Sequence, residues 1–495
     1  MPEQRSPKCY LAFDLGAESG RAILGTFCDG SLTTREIHRF ANEPVQYGAS
    51  LHWDVARLWW EMRKALAMVR GHALAGIGVD AWGVDYALLG EQGELLQNPY
   101  HYRDRRTQGV MEEVFRKVPR EDIYSVTGIQ FLAINTLYQL CAAGRDTPEL
   151  LKSAHTLLTI PDLFHYWLSG RAACEFTNAT TTQLVDVRSR NWARDLANDL
   201  GIPNHLWAEI VQPGTVLGPL QSSVGQDLGL GGTPVIVPAA HDTGSAVAAI
   251  SARDDTAFIS SGTWSLVGME LDAPVVSPAA LQMNFTNEGG VCGTTRLLKN
   301  VMGLWILQCC QRIWTAQGQP LKVAALMELA VAAEPFRSFV DPDHPSLLNP
   351  ANMPTAIDEL CRQTQQPLAQ SPGGYARAIL ESLALKYRTV LASLEKLTGQ
   401  PIVSLRVIGG GSKNRLLNQL TADATGRTVL AGPAEATALG NLAMQLLATG
   451  QASSLRDVRA LIERSNPGET FKPRDTEKWE RQAQRFEHYC EASYA

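Results

Sequence analysis

A pattern near the N-terminus, CYLAFDLGAESGR (residues 9–21), returns about midway through the chain as AFISSGTWSLVG (257–268). Aligning Gly16 with Gly262 sets Ala17 over Thr263 and Ser19 over Ser265, with an apolar run before each turn. Each copy predicts a β-hairpin: a short apolar strand, a tight turn of small residues, then a second strand (Arg21 to Phe27, and Leu266 to Leu271). A chain that carries the same hairpin twice is expected to be a duplicated fold. Small residues at such turns leave backbone N–H groups uncovered, and two such turns facing one another would hold a polyphosphate between them.

At 495 residues the chain is longer than one core serves, so two large domains are expected. Hydrophobic content of 45% and charged content of 19% are those of an ordinary globular protein. The net charge of -6, with no basic run interleaved with aromatics, excludes nucleic acid as the expected partner. The apolar stretch of five residues before Asp14 is too short for a signal-peptide core, and no other apolar run reaches membrane-spanning length. A cytoplasmic protein without a membrane partner is therefore expected. The nine cysteines form no C-x-x-C pair and predict neither a disulfide framework nor a zinc site; they are expected as small buried hydrophobes.

Strands and helices alternate. Periodicity predicts a strand at 34–40, a helix at 54–69 with Leu58, Met62, Leu66 and Val69 on one face and Asp54 as N-cap, and strands at 77–81 and 84–89 joined across Trp82–Gly83. Helices are expected at 104–118, 134–143 and 161–168, and a buried strand at 233–237 leads into AAHDTGSAVAAI. Beyond residue 249 the hairpin recurs, followed by helices at 303–317 and 375–397, a strand at 405–408, the loop GGGSKN, a helix at 415–424, a strand at 428–431 and a helix at 434–447. The stretch DPDHPSLLNPANMP (341–354) predicts a long surface loop, and Trp479, Ala483, Phe486 and Cys490 mark one face of a docking helix in the tail.

No phosphate loop of the G-x-x-x-x-G-K-[ST] type, no H-E-x-x-H zinc motif and no G-x-S-x-G elbow occurs in the chain. What remains is a set of small-residue turns with carboxylates beside them. Asp14, at a strand's carboxyl end, is either a turn former or a carboxylate that holds Mg²⁺ directly or through its waters. Asp242 follows the buried run PVIVPAA and opens a small-residue helix start. It is either a helix N-cap or a base that takes a proton from an alcohol attacking a γ-phosphate. The glycines 409–411 either make a turn or let backbone approach a flat ring or a phosphate. Gly83 would let a small polyol touch backbone, whereas Trp82 reads as core. His241 is a sugar-hydroxyl ligand or a structural donor.

These pieces together resemble the FGGY carbohydrate kinases over nearly the whole length. The resemblance rests on DLGAESGR (14–21), IGVDAWGVDYALL (77–89), YRDRRT (102–107), SVTGIQFLAINTLYQL (125–140), FTNATTTQLV (176–185), HDTGSAV (241–247), SSGTWSL (260–266), FTNEGG (285–290), LLKNVMGLWILQ (297–308) and IGGGSKNRLLNQLTADATG (408–426). Ala17 stands where many members carry threonine. That departure, with GIQFLAINTLYQL and LLKNVMGLWILQ, is similar to the branch that acts on L-rhamnulose.

The resemblance implies an α/β fold of two ribonuclease-H-like domains of the actin and sugar-kinase type with a catalytic cleft between them, residues 1–248 binding sugar and 249–495 binding nucleotide. Carried over by position, it implies ATP contacts at Ala17, Glu18, Ser19, Gly20, Arg21, Thr263, Gln308 and Gly410. It implies sugar contacts at Gly83, His241, Asp242, Thr243 and Asn300 and Asp242 as proton acceptor; Asp14, from its place at the strand end, is the expected Mg²⁺ carboxylate, directly or through water. The implied reaction is transfer of phosphate from MgATP to the 1-hydroxyl of L-rhamnulose, with sugar and ATP as the small-molecule partners and oligomeric state left open. The rival readings are another sugar kinase of the family, such as one acting on xylulose, and a nucleotide-switched binding protein of the actin or chaperone type.

Overall fold

The apolar run before Asp14 forms strand β1 (Lys8–Leu15), buried from Tyr10 onward as a strand inside a sheet must be. The computed structural model describes residues 6–252 and 254–494. β1 turns back antiparallel into β2 (Ser19–Cys28), which pairs with β3 (Ser31–Ala41). On its other side β1 pairs parallel with β4 (Leu74–Ala81), and the sheet is completed by β5 (Val216–Pro219) and β6 (Pro234–Ile236) in the order β5-β6-β4-β1-β2-β3. The helix Val55–Met68 starts where expected, with Asp54 Oδ1 accepting from the Arg57 backbone N–H at 3.0 Å, and buries Leu58, Met62 and Leu66.

The second hairpin repeats this frame. β7 (Thr256–Ser261) turns back into β8 (Trp264–Leu271), neighboured by β9 (Thr295–Met302). On the other side β7 pairs parallel with β10 (Ser404–Ile408), β10 parallel with β11 (Thr428–Ala431), and β12 (Glu469–Phe471) closes the edge antiparallel. The order β9-β8-β7-β10-β11-β12 matches β3-β2-β1-β4-β6-β5, including the antiparallel edge strand, and the second sheet carries one further strand, Thr286–Gly289, beside β9. The duplication read from the two turns therefore extends to whole sheets.

By packing, the chain divides into two units. The first takes in residues up to Ser251, Glu270–Leu297 and Ala436–Asn466; the second takes in Ala252–Met269, Leu298–Glu435 and Pro467 onward. The helix Ala436–Ala448 thus belongs with the first unit, not with the second half of the chain. Its Gly440 lies so close to the helix Asp242–Ala248 that an added Cβ would sit 1.7 Å from the Ser245 carbonyl oxygen. Asn441 donates to Asp80 at 2.7 Å and Gln445 to the Leu11 carbonyl at 3.1 Å, bonds between residues far apart in sequence that periodicity does not reveal.

Two expectations change. The stretch 341–354 is not simply a surface loop: Asp341 is buried against Lys386 Nζ at 2.7 Å, Asp343 accepts from the Met302 N–H at 2.9 Å, and Leu347 is buried. Pro345 opens a short 3-10 helix and Pro354 the helix Met353–Gln363, and the carboxylates are tied inward. All nine cysteines are unpaired; Cys174, Cys310 and Cys361 are buried as expected, whereas Cys292 is exposed. The tail helix Thr476–Ser493 buries Trp479, Ala483 and Phe486, with Trp479 edge-on to Phe336. No helix among the described residues is long and apolar enough to cross a membrane.

Candidate active site

In the first unit, the carboxyl ends of the parallel strands gather three carboxylates. Asp14 on β1 lies in register with Asp80 on β4, and Ala81 bridges to His241, the residue before Asp242. Asp80 is fully buried; one of its oxygens accepts from Asn441 and the other has no partner. Burial, and then the Asp14 charge, hold its carboxyl well above the usual range. Asp14 is ion-paired with Arg21, its antiparallel neighbour, so two residues expected at metal and nucleotide engage each other.

Asp242 is the first residue of its helix, and the capping position is taken by His241, so the N-cap alternative falls. Its Oδ1 accepts from the Thr243 N–H at 2.5 Å and the Thr243 hydroxyl at 3.3 Å, and faces His241 Nε2 at 3.4 Å. None of these contacts uses Oδ2. The side chain keeps 33% of its area open. Burial pushes its carboxyl above the usual range; His241 and the Thr243 groups oppose this and the Asp14 charge adds to it. A carboxylate with one oxygen held, one oxygen available and an elevated proton affinity is suited to accept a proton.

Gly83 lies beside these strand ends in a strained turn. The Asp85 N–H bonds the Gly83 carbonyl at 2.9 Å, and β-branched Val84 between them has φ of 67°. A Cβ on Gly83 would meet Thr181 at 3.0 Å, so the glycine serves protein packing whether or not a ligand also approaches it. Asp85 anchors the turn from below: Oδ2 accepts from the indoles of Trp53 and Trp82 at 2.5 and 3.0 Å, and Oδ1 from Gln139 at 2.8 Å. Burial raises its carboxyl to about 6. Trp82 is core, as expected.

The first turn holds its residues unequally. The Gly16 N–H bonds the Ser19 carbonyl at 2.9 Å and Asn42 braces the Gly16 carbonyl at 2.8 Å, leaving Ala17 and Ser19 half-buried and Glu18 exposed. Gly20 is buried, and a Cβ there would strike the Phe40 ring.

In the second unit the equivalent turn is one residue shorter. Leu15 faces Gly20 across the first turn and Ser261 faces Ser265 across the second. Ser19 therefore corresponds to Trp264 and not to Ser265, whose hydroxyl is buried on Tyr387 at 2.6 Å. The Thr263 carbonyl accepts from the Gly303 and Trp305 N–H groups at 3.1 and 3.2 Å, which brings the turn to the start of the helix Trp305–Ala316 that carries Gln308. The Gln308 side-chain oxygen is buried without a partner. Asn300 is half-buried on β9.

The three glycines after β10 separate by cause. Gly409 has φ of 80° and Gly411 would clash with Ser261 Oγ at 2.0 Å, whereas an added Cβ on Gly410 meets nothing within 4 Å. Only Gly410 leaves room that the protein does not fill. Thr263, Gln308 and Gly410 thus lie in one unit, as do Gly83, His241, Asp242 and Thr243 in the other.

Residues 9–249 and 257–449 match the models for the N-terminal and C-terminal domains of the FGGY family of carbohydrate kinases. The chain belongs to this family. Its members are ATP-dependent sugar kinases, and the chain is 45% identical over 474 residues to a rhamnulokinase of Bacteroides thetaiotaomicron, covering 95% of this chain and 97% of that protein. It is 44% identical over 475 residues to a rhamnulokinase of Pectobacterium atrosepticum, covering 94% and 93%. Two solved FGGY-like folds superpose across the chain: xylulose kinase of Lactobacillus acidophilus (TM-score 0.79, 17% identity, 98% and 97% covered) and glycerol kinase of Plasmodium falciparum (0.76, 16%, 99% and 98%).

Four charged residues around the candidate site escaped sequence reasoning: Asp80, Asp85, Glu288 and Arg296. Asp80 and Asp85 carried a signal, since a carboxylate inside an apolar strand must find partners or a proton. Glu288 lies in the quoted segment FTNEGG, but nothing local ties it or Arg296 to His241.

Proposed function

We propose that this chain transfers the γ-phosphoryl group of ATP to the 1-hydroxyl of L-rhamnulose, giving L-rhamnulose 1-phosphate and ADP. The observation that carries the reading is the likeness to rhamnulokinases over 95% of the chain, joined to a carboxylate, Asp242, placed and tuned to accept a proton. In this reading the sugar O1–H gives its proton to Asp242 Oδ2 as O1 bonds to the γ-phosphorus, and the bond from that phosphorus to the β,γ-bridging oxygen breaks to release ADP. Gly83, His241, Thr243 and Asn300 contact the sugar. The turn residues Ala17 to Arg21 meet ATP through backbone N–H groups, and Thr263, Gln308 and Gly410 meet the nucleotide, the open space at Gly410 admitting a flat ring or phosphate.

Among the described residues no group of three or more His, Cys, Asp or Glu is placed to hold a metal ion. In this reading Mg²⁺ arrives with the ATP phosphates, and Asp14 is the protein carboxylate that would reach it directly or through a water. The bound ion would neutralise phosphate charge. Turnover of ATP with L-rhamnulose beside L-fuculose, D-xylulose, L-ribulose and glycerol tests the assignment. The expected result is the highest kcat/KM for L-rhamnulose; a higher value for D-xylulose would move the chain to another sugar of the same family.

A further inference from the structure

Behind Asp242 lies a buried group of charges. Arg296 on β9 is fully buried; its Nε donates to the Gly289 carbonyl at 2.8 Å, and its Nη2 lies 3.2 Å from His241 Nδ1 and 3.3 Å from Glu288 Oε2. Glu288 Oε2 is itself 3.2 Å from Nδ1. Of these two neighbours, the guanidinium meets Nδ1 with hydrogen-bond geometry, and a guanidinium only donates. Nδ1 is therefore the acceptor nitrogen of a neutral imidazole, and the proton sits on Nε2, which faces Asp242 Oδ1 at 3.4 Å.

We propose that Arg296 is a positioning residue: by occupying His241 Nδ1 it fixes the tautomer that turns Nε2–H toward Asp242 Oδ1, so that Oδ2 stays available for the substrate proton. The inference rests on the proposed role of Asp242. Without Arg296 no donor holds Nδ1 as an acceptor, and beside the Glu288 carboxylate, or the amide oxygen of a glutamine in its place, Nδ1 takes a proton. Nε2 then either loses its hydrogen and repels Asp242, or stays protonated in an imidazolium that weakens the base.

The test uses full-length protein labelled with ¹⁵N at histidine, the His241 ring signals being assigned by their loss in His241→Asn. The parent is expected to show an unprotonated Nδ1 and a protonated Nε2. Arg296→Met/Glu288→Gln, which removes the buried pair as a unit and so spares the fold an unpaired charge, is expected to change those shifts. It should lower kcat about 10- to 100-fold with both KM values within about threefold of the parent. Arg296→Lys should recover most of the loss. A protonated Nδ1 in the parent, or a folded double variant with parental kcat, overturns the proposal, as does a fall in kcat with unchanged His241 shifts. Because the tautomer is read without substrate, failure of the L-rhamnulose assignment would leave that readout standing.

Discussion

Six strands follow the same order in the two sheets, yet the ends of corresponding strands carry different chemistry. β1 and β4 carry Asp14 and Asp80 one residue before their ends, and the segment after β6 leads to Asp242; of the matching strands, β7 ends at Ser260–Ser261, β10 runs into Gly409–Gly411 and β11 into Gly432. A duplicated frame thus fixes where the chain can present groups, and the residues at those ends decide what each copy does. In one unit burial and the Asp14 charge raise the proton affinity of Asp80 and Asp242, whereas small residues in the other expose backbone and space.

Removing the base is expected to have the largest effect. Asp242→Asn is nearly isosteric but cannot take the alcohol proton, so kcat should fall about 10²- to 10⁴-fold while ATP binding, read by calorimetry, is kept. Parental kcat in the folded variant would remove Asp242 from that role and dissolve the contrast between the units. Acidity offers a milder probe of the same group. The base works when ionised, so kcat falls as pH drops through its pKa, about tenfold per unit below it. Since burial and Asp14 raise that pKa, the acid limb should lie above the ordinary carboxylate range.

Asp14→Asn sharpens the comparison from the neighbouring strand. It should raise the Mg²⁺ requirement about 3- to 10-fold more than it raises the sugar KM. Loss of the Asp14 charge should also move the acid limb of kcat to lower pH. A parental Mg²⁺ titration would exclude it as a metal partner. The smallest effects belong to the glycines of the second unit. Gly411→Ala should cost about 1–3 kcal/mol of stability because its Cβ meets Ser261. Gly410→Ala should change stability by less than about 0.5 kcal/mol and act on the ATP KM alone. Thermal unfolding and ATP titration of the two variants separate packing from ligand space.

The paired hairpins, the helix cap at Asp54 and the core face of Leu58, Met62 and Leu66 were legible because each is a local pattern of period or capping. The alignment of Ser19 with Ser265 was not, since a one-residue difference in turn length is set by cross-strand pairing that an ungapped match cannot register. Likewise the three glycines look identical in sequence; only the position of Ser261 gives Gly411 a packing cause and leaves Gly410 without one. The contact of Arg296 with His241 and the inward carboxylates of 341–343 show the same limit, because each partner lies on a distant segment.

The central claim, that a sugar alcohol is phosphorylated at its 1-hydroxyl, is tested most directly by ³¹P NMR of L-rhamnulose incubated with ATP, Mg²⁺ and the protein. The account predicts ADP and a new phosphate monoester in equal amounts, the monoester phosphorus coupled to the two protons on C1. ADP formation that does not depend on the sugar, or a phosphate coupled to a single proton of another carbon, would contradict it.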